Sequence, residues 1–182
     1  MKKQTKFKLA AFGSIMNIVL FIPTIILLFY KLSQPDNTLI KYLMVGVVIL
    51  GLPFFIMQLY GYLMIAKNDK LDKLRKYTII YMCFSVLAPI QTIFVIFGNA
   101  VVSLIIGMTW IVLSGIMYIL YGLTIRRVIE DTFKFSRTIG LLYLIMGIIE
   151  CTIIFAIVGV FFGIPLRMIE AKMFLGKSRD KK

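Results

Sequence analysis

Residues 138–166 read TIGLLYLIMGIIECTIIFAIVGVFFGIPL. The stretch holds a single charged side chain, Glu150, and no polar residues at helical or strand period that could form the outer face of a soluble element. At about 1.5 Å per residue, a helix of this length exceeds the roughly 30 Å of a hydrocarbon core. It reads as a membrane-spanning helix. Outward from it, four more apolar runs of spanning length occur, at 9–30, 42–66, 77–97 and 100–125. The expected fold is an all-α, polytopic integral membrane helix bundle with five transmembrane helices. One transmembrane domain covers residues 1–182, and a basic tail occupies 167–182.

Composition agrees. The chain is 60% hydrophobic, with mean hydropathy +0.95, against roughly 45–50% apolar for soluble domains. Its formal charge is +13. The basic residues flank the apolar runs, where they face anionic lipid headgroups and set topology. They carry no base readout, so nucleic acid is not an expected partner. The chain has no His, which removes His-based acid–base chemistry and His metal sites. Cys83 and Cys151 lie inside apolar runs and have no metal-ligand spacing. No nucleophile elbow or phosphate-binding glycine loop is present. Neither an enzyme activity nor a cofactor is expected.

Short connections order the helices. Gln34-Pro35-Asp36-Asn37-Thr38 is a turn cluster, and Gly98-Asn99 alone separates the third and fourth runs, making them antiparallel neighbours. Asp69 and Lys73, Asp72 and Lys76, Arg126 and Glu130, Arg127 and Asp131, and Glu130 and Lys134 each stand four apart, a spacing that supports helix running on into water. The basic start and first run resemble a signal peptide. The run is long, however, and no small-x-small site follows it, so it reads as a retained span.

Lys and Arg number 4 before the first run, then 2, 5, 0 and 4 in successive loops, with 6 more from Arg167 onward. An excess of Lys and Arg marks the cytoplasmic side. This puts the N-terminus and the loops at Asn68 and Thr132 inside. Five crossings would put the basic tail outside, against that rule. A re-entrant hairpin with its tip near Glu150 would bring the tail inside. But Gly147-Ile148-Ile149-Glu150-Cys151-Thr152 has no Pro and no central Gly, a poor turn. One long crossing is therefore expected, with a kink or a re-entrant hairpin as the alternative. Fifteen Lys against six Arg suits an AT-rich coding sequence and a bacterial plasma membrane.

Glu150 is the leading site candidate. A charge at helix centre costs about 2.5–3.5 kcal/mol on insertion scales for Asp, Lys and Arg. The carboxyl is therefore expected to face the bundle or a wet cavity, with desolvation favouring its neutral form. No Lys or Arg is expected at its depth. Counting rise per residue, Asn17 and Gln58 lie roughly 12–14 Å from the inner boundary and Glu150 about 20 Å, with Gln91 about a turn beyond. A polar site of Glu150, Gln58, Asn17 and Gln91 is geometrically possible. Pro23, Pro53 and Pro89 interrupt three spans near it and expose carbonyls.

Small residues mark packing faces: Gly159 with Gly163, Ser103 with Gly107, and the seven-residue spacings Gly115–Gly122 and Gly140–Gly147. Two functions fit. One is a helper or interaction component: an assembly factor, a complex subunit or an immunity-type protector. The other is a proton- or cation-coupled small permease or channel-like protein, with Glu150 as its titratable site. It would work as a homo-oligomer, for which the Gly159–Gly163 face is available.

The charge pattern makes a labelling prediction. With Cys83 and Cys151 replaced by Ala, a cysteine at Asn37 reacts with an impermeant maleimide added outside cells, and a cysteine at Asn68 does not. The reverse pattern would invert the orientation.

Overall fold

The computed structural model describes residues 3–34, 36–128, 135–152 and 156–179. Of these, 93% are helical, which leaves little but turns between helices. The described elements are α1 (Lys3–Ser33), α2 (Thr38–Asn68), α3 (Asp72–Val86), α4 (Ala88–Phe97), α5 (Ala100–Val128), α6 (Ser136–Cys151) and α7 (Ala156–Arg179).

Four helical stretches are long and apolar enough to cross a membrane: Gln4–Lys31, Thr38–Asn68, Asp72–Phe97 and Val101–Arg126. Apolar helices of this kind fit a membrane location. Where no water is available to solvate the backbone, a helix satisfies its own N–H and C=O groups. The third stretch is broken. Pro89 has no N–H to donate, so the helical ladder cannot run through it, and it sits in the first turn of α4, where that loss is tolerated. The Leu87 N–H closes α3 onto the Phe84 carbonyl at 3.0 Å. By contrast, α1 and α2 run on through Pro23 and Pro53.

The turns follow local chemistry. Asn37 caps α2, its side chain accepting from the Ile40 N–H at 3.3 Å. Asn99 caps α5, its side-chain oxygen accepting from the Val102 N–H at 2.9 Å. Between α2 and α3 the chain turns through Asp69, Lys70 and Leu71, with Lys70 at φ 53°. Asp69 and Lys73 are therefore not one helical turn apart on a continuous helix. The spacings expected from Arg126 to Lys134 involve Glu130, Asp131 and Lys134, and these, like Thr132, lie outside the described residues.

The run at 138–166 is not one straight helix. The Tyr143 hydroxyl of α6 donates to Glu170 Oε1 of α7 at 2.7 Å. The two residues are 27 apart in sequence, and a continuous helix would hold them about 40 Å apart. Gly163 lies against the Met146 methyl. This register, 143 with 170 and 146 with 163, makes α6 and α7 antiparallel arms. α6 ends at Cys151, inside the stretch Gly147–Thr152 named for a re-entrant tip, with the Thr152 N–H bonding Ile148 and Ile149 carbonyls and its hydroxyl donating to Ile149 at 2.6 Å. The stretch from Arg167, expected to be a tail, is the second half of α7. It packs on α1 and α6 and buries Leu166, Glu170, Met173 and Phe174. That stripe at helical spacing is what a straight crossing would have left without a partner.

The core sits at one end of the bundle. Its buried side chains come from the start of α1 (Phe7, Ala10), the end of α2 (Leu59, Tyr62, Ile65) and the start of α3 (Leu74, Tyr81). The end of α5 (Tyr121, Ile125), the start of α6 (Ile139, Tyr143) and the end of α7 (Phe174) complete it. Toward the other end, large apolar side chains such as Leu39, Tyr42, Leu50, Phe94 and Leu104 are exposed.

One seam is held by glycine. A Cβ on Gly122 would stand 2.7 Å from the Gly140 carbonyl oxygen, and one on Gly147 would stand 2.5 Å from that of Gly115. The two seven-residue spacings thus face each other across α5 and α6, where no larger residue fits. The other expected packing residues are looser. Gly163 and Gly107 have neighbours only at 4.0 and 3.8 Å. Ser103 instead serves the turn, donating to the Phe94 carbonyl at 3.5 Å. Gly159 lies in α7, outside the residues whose surroundings are described.

Candidate functional site

At the packed end, Glu170 is fully buried. Helix packing delivers its donors from three directions. Tyr62 of α2 and Tyr143 of α6 donate to Oε1 at 2.6 and 2.7 Å. Gln58 of α2 and Arg167, one turn earlier on α7, donate to Oε2, the guanidinium at 3.1 Å. Four donors on two oxygens fill the capacity of a carboxylate. The Gln58 side-chain oxygen in turn accepts from Asn17 of α1 at 2.8 Å. Arg167 also donates to the Tyr143 hydroxyl at 3.2 Å and stacks 4.9 Å over the Phe55 ring. Around this network the Tyr62, Tyr81, Tyr121 and Tyr143 rings pack at 5.1–5.6 Å.

Next to the network lies a cavity of about 420 Å³. Its walls carry Glu150 and Arg167, together with Asn17, Thr24, Phe55 and Tyr118. Glu150 Oε2 accepts from the Ser114 hydroxyl of α5 at 2.6 Å. Ser114 also lines a second cavity of about 250 Å³, which shares Asn17, Val48, Phe55 and Tyr118 with the first. The second is bounded by the α3–α4 break at Ala88 and Pro89 and by Trp110, stacked on Phe84 at 4.3 Å. The two adjoining spaces, the chamber, lie between the broken helix and the α6–α7 hairpin.

The expected site residues divide. Asn17 and Gln58 are joined, but Gln58 serves Glu170 rather than Glu150. Glu150 shares its cavity with Asn17. Gln91 stands apart on α4, accepting from Thr92 at 3.5 Å and facing Ile105 and Thr109 of α5. Arg167, expected in a basic tail, lines the same cavity as Glu150, on the side of Tyr143 and Glu170. Reading 167–182 as a tail hid both Arg167 and Glu170. The available signal was the spacing Leu166, Glu170, Met173 and Phe174, an apolar helical stripe with one acid in it.

The chamber walls offer a carboxyl, a guanidinium, one amide and several hydroxyls, groups able to hydrogen-bond a polar ligand. Among the described residues no three Asp, Glu or Cys side chains come together as a metal site would require. Comparison with known proteins yields no likeness: no family model, curated protein or solved structure matches the chain.

Removing the buried acceptor tests the network. Breaking a buried ion pair from one side costs about 3–5 kcal/mol, since the other charge is left uncompensated. Glu170→Ala is expected to lose stability of that order, and Glu170→Gln less, measured by thermal unfolding in detergent. An Ala variant that unfolds with the parent would mean the carboxylate does not hold the helices together.

Proposed function

We propose that this chain is a small permease or channel-like protein, coupled to protons or cations, that takes a small polar solute into the chamber between Glu150 and Arg167. One observation carries the reading: an acid and a base, from opposite arms of a helical hairpin, line one cavity of about 420 Å³. Pockets of roughly 300–1,000 Å³ with a few convergent polar groups are typical of small-molecule sites. Ionisable groups inside a membrane are expensive to keep and are functional candidates by default. The competing reading, a helper or assembly component, drew on the lack of a soluble domain and of a catalytic constellation and on Glu150 having no basic counterpart; Arg167 on the same cavity wall weakens the last of these.

In the proposed topology four helical stretches cross the membrane. α6 and α7 enter and return from the side that carries the N-terminus, which is the cytoplasmic side of a bacterial plasma membrane. Of the 21 Lys and Arg, only Lys31 and Lys41 then fall at the opposite face, in keeping with the positive-inside rule. The α3–α4 break lines this chamber, and irregular backbone at membrane depth is tolerated where it borders a cavity.

The hairpin makes its own labelling prediction. A cysteine at Gly176, an exposed position with nothing within 4 Å of its Cβ, stays protected from an impermeant maleimide outside while one at Asn37 reacts. Labelling at both would restore the single crossing.

The transport reading is tested with purified protein in liposomes containing a trapped pH dye. Alanine, choline or putrescine is added outside. At least one is expected to drive proton entry with the parent. Glu150→Gln keeps shape and hydrogen bonding but removes the titratable group, so it should abolish that entry while leaving the unfolding temperature unchanged. Parent protein indistinguishable from empty liposomes with all three solutes would return the chain to the helper reading.

A further inference from the structure

A second pocket lies at the packed end, away from the chamber. It has a volume of about 480 Å³ and draws its walls from three helices: Lys6 of α1; Tyr60, Leu63, Lys67 and Asn68 of α2; and Arg75 and Ile79 of α3. Three cationic side chains converge there, and the lining contains no carboxylate. Asp69 and Asp72 belong to the same connection but not to these walls.

The lining is graded along the bundle axis. Lys67, Asn68 and Arg75 flank the α2–α3 turn, at the end of the bundle. Tyr60 stands about 10 Å further in along α2, and Ile79 about 6 Å further in along α3. Ile79 is 43% exposed, so the apolar part opens sideways. The Lys6 ammonium rests 5.9 Å from the Tyr60 ring centroid, at the junction of the two parts.

We infer that this pocket is a binding site for one anionic phospholipid. Its phosphodiester sits among Lys6, Lys67 and Arg75, and the first acyl carbons lie on Leu63, Met64 and Ile79. Like-charged side chains held together repel one another, and a bound anion relieves that repulsion. A soluble phosphate compound would meet the same cations but would leave the sideways apolar wall uncovered. A phospholipid matches both parts in the order that the membrane imposes, with charge at the interface and hydrocarbon deeper. The inference depends on the membrane location and not on Glu150.

The test is native mass spectrometry of the detergent-solubilised protein with phosphatidylglycerol or phosphatidylcholine of identical chains. Phosphatidylglycerol is expected to stay bound and phosphatidylcholine to be lost. Lys6→Gln/Lys67→Gln/Arg75→Gln should lower the apparent affinity for phosphatidylglycerol at least tenfold. Lys8→Gln/Lys73→Gln/Lys76→Gln removes as much charge from the same end without touching the pocket, and should bind like the parent. If the first variant fails to fold, Lys67→Gln/Arg75→Gln, confined to two exposed positions, should still lower the affinity severalfold. Equal losses in pocket and control variants would overturn the site in favour of diffuse surface charge. Displacement of phosphatidylglycerol by millimolar glycerol 3-phosphate would overturn the lipid in favour of a soluble phosphate ester.

Discussion

A carboxylate buried away from solvent must be met by donors, and the fold is arranged around meeting that of Glu170. Desolvating such an ion costs several kcal/mol even after relaxation, and only good geometry with full hydrogen bonding repays it. Here the donors are Tyr62 and Gln58 from α2, Tyr143 from α6 and Arg167 from α7 itself. Asn17 of α1 is tied in through Gln58. Four helices are thus fixed in height and rotation about one side chain. The direction of α7 is among the things fixed. Glu170 can reach Tyr143 only if the chain doubles back after α6.

That constraint sorts the bundle into a packed end and an open middle. Around Glu170 the tyrosine rings pack closely. Further along, the α6–α7 arms and the α3–α4 break at Pro89 hold the helices apart and the chamber appears. Arg167 belongs to both regions. One of its nitrogens is spent on Glu170 and Tyr143, while the side chain also forms part of the chamber wall with Glu150. A guanidinium carries five N–H donors, so serving the network does not exhaust it. The rigid network therefore presets the position of the group proposed to face solute, which is the arrangement a precise binding site needs.

How much of this could be read beforehand depended on whether the responsible force is local. Lipid demands long apolar helices, and the four spanning stretches stand close to where the apolar runs at 9–30, 42–66, 77–97 and 100–125 put them. The break at Pro89 follows from a missing N–H, also a local matter. The height of Asn17 and Gln58 followed from counting residues, and the two do meet. Partner choice was not legible. Glu150 drew attention because its neighbours in sequence are apolar, whereas Glu170 stands among Arg167 and Lys172 and looked like part of a solvated basic segment. The small-residue spacings marked faces but not what they face. The seven-residue pairs meet each other across α5 and α6, while Gly107 and Gly163 meet side chains at ordinary distance.

The charge distribution and the hairpin bear on the same question from different sides. A single crossing at 138–166 would carry six cationic side chains, from Arg167 to Lys182, across the membrane and would strand Glu170 in water. The antiparallel arms avoid both costs. In the proposed topology they leave the basic residues on the side of the others of their kind, and they bring Glu170 to its donors. They also change what Glu150 is. On a straight fifth span it would be an isolated acid near the helix centre, for which burial against a neighbour is explanation enough. Near the end of a short arm, it lines one cavity with Arg167 of the returning arm, and that shared cavity is what the transport proposal rests on.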